Sequence, residues 1–414
     1  MRRVSSSITN NDVQYNLRLQ ESKLNKANNQ MGSQNRIQSL RDDPIAAGHL
    51  VRYQSYASRV ETFKHNAQTL TDQYSMTEGY LNNSVEIMQR IRELAVTGAN
   101  GVYTKEDMAN IAVEVDQLLQ ELVQNANAKD ADGNALFAGN RSKSTAFTTE
   151  LGNIAGSSES LIQSVRYNGS IAENNVEVDE QSFLSVDRTG NKLFWAEPQQ
   201  LFSQRDASSY QVRQDSTISI NGIDIDLKTG DNIYAVAAKI NNSGSPVKAG
   251  IDPVTKGLTL HTTDARQLWL EDAKGNTFEE LGIIKDKSQR PPFNVGESVL
   301  VSGGSMFDSV IALRNALLTG DSESIGGKVL GSLDSALNNL ITGVADLGSR
   351  YERAVQNIAR SEAVQLNVTS AISREGDLDF TKAVTDMKML EYVKNATLST
   401  AGNLYSNSLL NYIK

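Results

Sequence analysis

The 414-residue chain contains no cysteine. Disulfides, thiolate-bound zinc, iron–sulfur clusters and thiol catalysis are excluded together. Histidine is nearly as scarce. His49, His65 and His261 are the only three, and none falls in an H-x-x-x-H or H-E-x-x-H pattern, so no metal centre is expected. No run approaches the roughly 18 apolar residues of a membrane span. The first 16 residues hold two arginines but only Val4, Ile8 and Val13 as isolated apolar positions, which is not the pattern of a cleaved secretory signal. A net charge of −9, from 40 Lys+Arg against 49 Asp+Glu, argues against nucleic-acid binding. Phosphate-binding glycine loops and a G-x-S-x-G elbow are also missing. The carboxylate pairs Asp42/Asp43 and Asp377/Asp379 read as helix-terminal groups rather than an acid–base couple. The expectation is a protein that is not an enzyme and needs no cofactor.

Proline is scarce too, and its placement divides the chain. The six prolines, Pro44, Pro198, Pro246, Pro253, Pro291 and Pro292, leave 45–197 and 293–414 free of helix breakers. Both stretches carry long heptad seams. Phe63, Ala67, Leu70, Tyr74, Thr77, Leu81, Ser84, Met88, Ile91 and Ala95 follow alternating steps of four and three, and eight of these ten are apolar or aromatic. From Leu330 the series continues through Leu333, Leu337, Leu340, Val344, Leu347, Tyr351, Ala354, Ile358, Ser361, Gln365, Val368 and Ile372, with eleven of thirteen apolar or aromatic. Such seams predict coiled-coil helices that pack on each other. Asp42-Asp43-Pro44 predicts a helix start, and Thr104-x-x-Asp107 a capping box opening a helix with Ile111, Val115, Leu118 and Leu122 on one face. Phe380, Val384, Met387 and Leu390, then Leu398, Ala401 and Leu404, predict a last amphipathic helix interrupted at Lys394.

The middle of the chain alternates with period two. Thr217–Ile220 and Ile223–Leu227 flank Asn221-Gly222, a strong hairpin signal. Val176–Asp179, Gly257–Leu260 and Gln267–Leu270 read as further strands. Val301-Ser302-Gly303-Gly304-Ser305 reads as a loop into a helix. Trp195 and Trp269, the only tryptophans, lie in this β-rich part and are expected in its core, a sugar-stacking role being the weaker alternative. The fold class is α+β and multidomain: a long antiparallel coiled-coil core built from both termini, with a β-rich domain inserted between them. The expected divisions are 1–58, a helical assembly segment; 59–147 with 301–377, a discontinuous coiled-coil domain; 148–300, the β-rich insert with a small module at 215–284; and 378–414, an assembly helix. Residues 1–59 carry nine Lys+Arg against four Asp+Glu, and the first 40 are expected to order only on meeting a partner.

Several spaced motifs resemble the bacterial flagellin family. Arg36-Ile37 followed by Asp42-Asp43-Pro44-Ile45-Ala46-Ala47 is similar to its N-terminal signature. Arg90-Ile91-Arg92-Glu93-Leu94-Ala95-Val96 with Ala99-Asn100-Gly101, then Glu114-Val115 and Leu118-Leu119, resembles its helical hairpin. Ala345–Arg353 and Asp377–Phe380 resemble its C-terminal signature. Within the family, Leu136-Phe137-Ala138-Gly139 with Phe147, Val165-Arg166-Tyr167-Asn168-Gly169, and the terminal Ser408–Ile413 resemble the hook-associated branch that forms the junction between hook and filament. Ile220-Asn221-Gly222, Ala238–Asn241 and Glu280–Ile283 are similar to a β module of flagellar axial proteins. One departure stands out: Ser33-Gln34 replaces the usual Ser-Gly before Arg36-Ile37, so a different local turn is expected there.

The resemblance implies a structural adapter of the bacterial flagellum, layered between another hook-associated protein and the flagellin filament. It also implies export by the flagellar apparatus with a cytoplasmic chaperone, and a homo-oligomeric layer. A filament-forming flagellin is the alternative. The expected partner interface is Ile8, Leu17 and Leu24 in the first helix, with Leu390, Leu398, Ala401, Leu404, Leu409, Leu410 and Ile413 in the last. The expected coiled-coil seam is Phe63, Leu70, Leu81, Met88 and Ile91 against Leu333, Leu337, Leu340, Val344, Leu347, Tyr351 and Ile358.

Overall fold

The computed structural model describes the backbone of residues 2–410 and the side chains of residues 11–402. In chain order the elements are α1 (Arg2–Ser33), α2 (Pro44–Ala99), α3 (Lys105–Ala126), β1 (Phe147–Asn153), β2 (Ser160–Tyr167), β3 (Asn175–Asp179), β4 (Ser182–Ser185), α4 (Gly190–Leu193), β5 (Gln200–Ser203), β6 (Ser216–Ile220), β7 (Ile223–Leu227), α5 (Ile233–Asn242), β8 (Val247–Ile251), β9 (Leu258–Thr262), β10 (Leu270–Lys274), α6 (Thr277–Glu280), β11 (Val299–Ser302), α7 (Met306–Thr319), α8 (Ser322–Ser324), a π-turn (Ile325–Val329), α9 (Leu330–Gly376) and α10 (Phe380–Leu410). Long helices at both ends and small sheets in the middle give the α+β class. None of the helices, among the described residues, is long and apolar enough to cross a membrane.

The chain separates into two compact units. Unit 1 holds the residues up to 65 and those from 358 onward; unit 2 is Asn66–Asn357. These divisions differ from the expected ones at 58/59 and 377/378, and they put the β-rich insert in one unit with much of the coiled coil. Helices α2 and α9 each contribute to both units.

In unit 1, α2 and α9 run antiparallel. His49 Nδ1 approaches Glu375 (3.5 Å), and Gln365 Nε2 donates to Glu61 (2.7 Å), so numbers rise on one helix as they fall on the other. Helix α1 packs against α10, where Lys394 meets Glu21 at 3.4 Å. One expectation changes here: helix α10 is not interrupted at Lys394, because that side chain finds a carboxylate on α1. Residues 2–33 are helical and pack on the chain's own α10.

In unit 2 the antiparallel sense is the same: Arg92 of α2 bonds Asp334 of α9 at 2.5 Å, and Ala99 at the end of α2 lies by Gly326 in the π-helical segment that leads into α9. Leu70, Leu81, Met88 and Ile91 are buried, as are Leu333, Leu340 and Leu347. The polar seam positions Thr77 and Ser84 return their hydroxyls to Gln73 O and Tyr80 O (2.8 Å each), which satisfies them inside the helix. The capping box at Thr104 and Asp107 forms as the spacing predicts. The buried face of α3, however, is Met108, Ala112, Val115, Leu119 and Leu122, a stripe rotated from the expected one, with Ile111 and Leu118 only half-buried.

The β-rich part contains two hairpins, β1–β2 and β3–β4, a three-stranded sheet β10-β6-β7 and a four-stranded sheet β11-β5-β9-β8, all antiparallel. Asn221 (φ 50°) and Gly222 (φ 81°) both take positive φ, the requirement of a type I′ turn that matches strand twist. Ile218, Ile220, Ile225 and Leu227 meet Ile233, Val236 and Ile240 of α5 in one core. The expected strand at 267–270 does not form: only Leu270 begins β10, and Gln267–Trp269 is irregular. Its backbone is taken by side chains instead, since Gln199 Oε1 accepts from Leu268 N (2.6 Å) and Asn221 Oδ1 from Trp269 N (2.9 Å).

Candidate assembly surface

The turn that reverses both chain ends lies in unit 1, and the Arg36 to Pro44 signature builds it. The Arg36 N–H donates to Gly376 O (2.8 Å), and its guanidinium donates to Glu375 O (2.9 Å) and Asp43 (3.3 Å). Leu378 N donates back to Gln34 O (3.0 Å). Asp42 accepts from the N–H groups of Gln38 (3.1 Å) and Ser39 (3.0 Å) and from Lys26 (2.6 Å). The Lys26 hydrogen bond, then those two backbone donors, hold its carboxyl at about 2, against an ordinary 3.8. Asp43 caps α2 through Ala46 N (3.0 Å), which lowers its pKa, and Pro44 fills the first helical position, where no N–H is needed. Asp379 caps α10 in the same way through Lys382 N (3.0 Å). Asp42, Asp43 and Asp379 are thus accounted for by backbone donors, and the Asp377 carboxylate accepts from the Ser373 hydroxyl one turn back. Gln34 adopts φ 58°, a left-handed conformation that favours glycine.

Burial in unit 1 is inverted relative to a globular domain. Its buried apolar side chains are Ala46, Ala47, Val60, Val368 and Ala401. No Leu, Ile, Met, Phe or Tyr of unit 1 is buried among the described residues. Ten large apolar side chains are exposed over residues 11–65 and 358–402, against fifteen over the 292 residues of unit 2. Tyr15, Ile45, Leu366, Phe380, Met389 and Tyr392 are each more than half exposed.

The expected interface residues are only partly those that face outward. Leu17, Leu24 and Leu390 are half-buried, and Ala401 is buried; Leu398 alone is exposed, at 47%. The side chains of Ile8, Leu404, Leu409 and Leu410, and all of Ile413, lie outside the described residues. Of the seam residues in unit 2, Leu337, Val344 and Tyr351 are half-buried; in unit 1, Phe63 and Ile358 are half-buried. Reading every apolar residue of a terminal helix as interface missed that α1 and α10 pair. The pair turns one stripe inward and leaves Tyr15, Leu19, Met389 and Tyr392 out. Their positions relative to Leu17 and Leu390 on a 3.6-residue period were the available signal.

In unit 2, two sequence motifs meet. Leu136 and Phe137 are buried, and a Cβ on Gly139 (φ 59°) would lie 2.4 Å from Ser170 O. The Tyr167 hydroxyl, buried with its pKa pushed up by desolvation, donates to Ser170 O (2.8 Å) and accepts from Gly190 N (3.3 Å). Phe137, Phe147, Phe194 and Phe307 stack around this point with centroids 5.0–5.9 Å apart. The L-F-x-G and Arg-Tyr-Asn-Gly segments therefore form one aromatic knot that ties β2 to α7. Nearby, fully buried Arg314 of α7 pairs with Asp116 of α3 at 2.6 Å and donates to Ile162 O (2.7 Å). Nothing in the sequence linked those two charges.

Three family models match the chain, and two of them cross the boundary between the units. The model described as "Bacterial flagellin N-terminal helical region" matches residues 4–142, "Flagellin hook IN motif" matches 212–264, and "Bacterial flagellin C-terminal helical region" matches 330–413. Flagellin A of Vibrio cholerae is 24% identical over 398 residues, covering 96% of this chain and 94% of the relative. Flagellar hook-associated protein 3 of Escherichia coli is 27% identical over 169 residues, 41% of this chain and 49% of its own. A solved hook-associated protein-3 from Legionella pneumophila superposes with a TM-score of 0.48 at 17% identity, over 78% of this chain and 97% of its own.

Proposed function

The chain belongs to the bacterial flagellin family and is a structural component of the flagellum, and from that premise we propose that it forms the adapter layer where hook meets filament. The observation that carries the assembly role is the inverted burial of unit 1. A helical unit whose buried apolar side chains are alanines and valines has little core of its own. Each exposed Leu, Tyr, Met or Phe buried against a neighbour contributes roughly 1.5–3 kcal/mol. Helical stacking of many copies supplies that burial, and the signature at Arg36–Pro44 sets the direction in which both helix pairs leave the turn.

The place within the family rests on the aromatic knot. Gly139 admits no side chain, and the Tyr167 hydroxyl reaches Phe137 O (3.1 Å) and Ser170 O (2.8 Å), so the two segments that carry the resemblance to the hook-associated branch form one structural unit in this chain. A filament-forming subunit is the second reading, favoured by the match to flagellin A along nearly the whole chain. Partners under the first reading are flagellin on one side, another hook-associated protein on the other, and further copies of this chain laterally. Export by the flagellar route, with a cytoplasmic chaperone on the last helix, completes it; a 378–414 deletion that still captures the chaperone in a pull-down contradicts that part.

Immunogold electron microscopy of isolated flagella, with antibody against residues 148–300, tests the location. A single band between hook and filament is the expected image. Label along the filament would make the chain a filament subunit.

A further inference from the structure

The sequence holds three Asn-Gly steps, at 100–101, 168–169 and 221–222. Asparagine is among the thermolabile residues. A following glycine is its least obstructed neighbour, because the next backbone nitrogen can approach the side chain with no Cβ in the way. The fold treats the three steps differently. Asn221 lies in the β6–β7 turn with its amide held at both ends: Oδ1 accepts from Trp269 N (2.9 Å), and Nδ2 donates to Gln267 O (3.3 Å). Asn168 donates through Nδ2 to Thr148 Oγ1 (2.9 Å) and through its N–H to Ala146 O (2.8 Å). Its neighbour Gly169 is buried, and Arg290 donates to Asn168 O (2.9 Å). Asn100 follows the last residue of α2, and both it and Gly101 are exposed. Val102 N donates to Asn100 O (2.6 Å), closing a tight turn centred on Gly101. Among the described residues neither the Asn100 side chain nor the Gly101 N–H has a hydrogen-bond partner, and a Cβ on Gly101 would meet nothing within 4 Å.

We propose that Asn100 is a modification site at which the chain reacts with itself and water, losing the side-chain amide. Gly101 N gives its proton to hydroxide and attacks Asn100 Cγ. The new N–Cγ bond forms, the Cγ–Nδ2 bond breaks, and Nδ2 leaves as ammonia with a proton taken from water. Water then opens the five-membered imide. Opening at Cγ leaves an ordinary aspartate, and opening at the backbone carbonyl leaves an isoaspartate whose chain runs through Cγ. Ammonia is lost and water gained, with no other reactant. Either product places a carboxylate just past the C-terminal end of α2, where the helix dipole disfavours negative charge. The isoaspartate also adds one methylene to the backbone of the turn between α2 and α3. Asn168 and Asn221 share the sequence step, but their side chains must first break the hydrogen bonds that hold them.

Peptide mapping by mass spectrometry tests it on the full chain, aged in mildly alkaline buffer, with all three steps read in one digest. The amide-to-acid mass gain and isoaspartate fragments are expected at Asn100 about tenfold faster than at Asn168 or Asn221, the usual effect of a hydrogen bond that must open first. Gly101→Ala meets open space and should fold as the parent does, yet slow the reaction at Asn100 by obstructing the attacking nitrogen. In urea strong enough to unfold the chain, the three rates should converge, because only the shared step then remains. No mass gain at Asn100, equal rates at the three steps in the folded chain, or a preference for Asn100 that persists unchanged in urea, overturns the proposal.

Discussion

Gln34 is where one side chain carries the most local strain of the turn. Its φ of 58° costs an L-residue about 1–2 kcal/mol that glycine does not incur. Gln34→Gly should therefore raise the urea midpoint of unit 1 even though it adds no contact; an unchanged or lowered midpoint contradicts this. Asp42 makes the same turn sensitive to acid. Its pKa in the folded chain, about 2, lies below the ordinary 3.8, so the stabilisation is fully present above about pH 4 and is lost as pH falls toward 2. Asp42→Asn should remove this pH dependence by lowering the neutral-pH urea midpoint of unit 1 toward the value the parent shows near pH 2; an unchanged neutral midpoint contradicts it. In unit 2 the decisive residue is Arg314, which has no exposure and leans on Asp116. Asp116→Ala strands that charge and should cost about 3–5 kcal/mol in chemical unfolding, whereas the double replacement D116L/R314M should recover most of it.

Among the elements, those written in local chemistry were legible and those made by distant pairing were not. The α3 start, the α2 start at Asp43-Pro44 and the β6–β7 hairpin each follow from a few adjacent residues, and each forms where the sequence puts it. The coiled-coil seams were legible because the heptad repeat is long enough to outvote single exceptions such as Thr77 and Ser84. Three features were not. The run 267–270 has strand composition, but Gln199 and Asn221, distant in sequence, take its backbone hydrogen bonds. The α1–α10 pairing depends on which stripe of each helix turns inward, and a single helix cannot say. The Asp116–Arg314 pair joins α3 to α7 with no periodic trace in either. At the aromatic knot, Gly139→Ala should lower stability by about 2 kcal/mol or more, since it combines a left-handed φ with a backbone clash. Gly133→Ala is the matched control. Its φ of 78° is equally left-handed but the space around it is open, so about 1 kcal/mol is expected. Equal losses in the two would mean that the contact with Ser170 O carries nothing.

Across the whole molecule, two kinds of unit share one chain. Unit 2 has a conventional interior: sheets packed on α5, an aromatic knot, and helices α3 and α7 closed around a buried ion pair. Unit 1 has helices and hydrogen-bonded turns, but its buried apolar side chains among the described residues are only alanines and two valines, Val60 and Val368. Local stability tracks buried apolar contact, so unit 1 should open far more readily than unit 2 in the isolated chain and gain protection when its surface is covered. Amide hydrogen exchange read by mass spectrometry, on the free chain and on the chain assembled into flagella, tests that contrast most directly. Fast exchange is expected over residues 11–65 and 358–402 in the free chain, slow exchange over α3, α7 and β6–β7, and strong slowing of the first set alone on assembly. Uniform protection of both units in the free chain, or unit 1 amides left unprotected in assembled flagella, would contradict it.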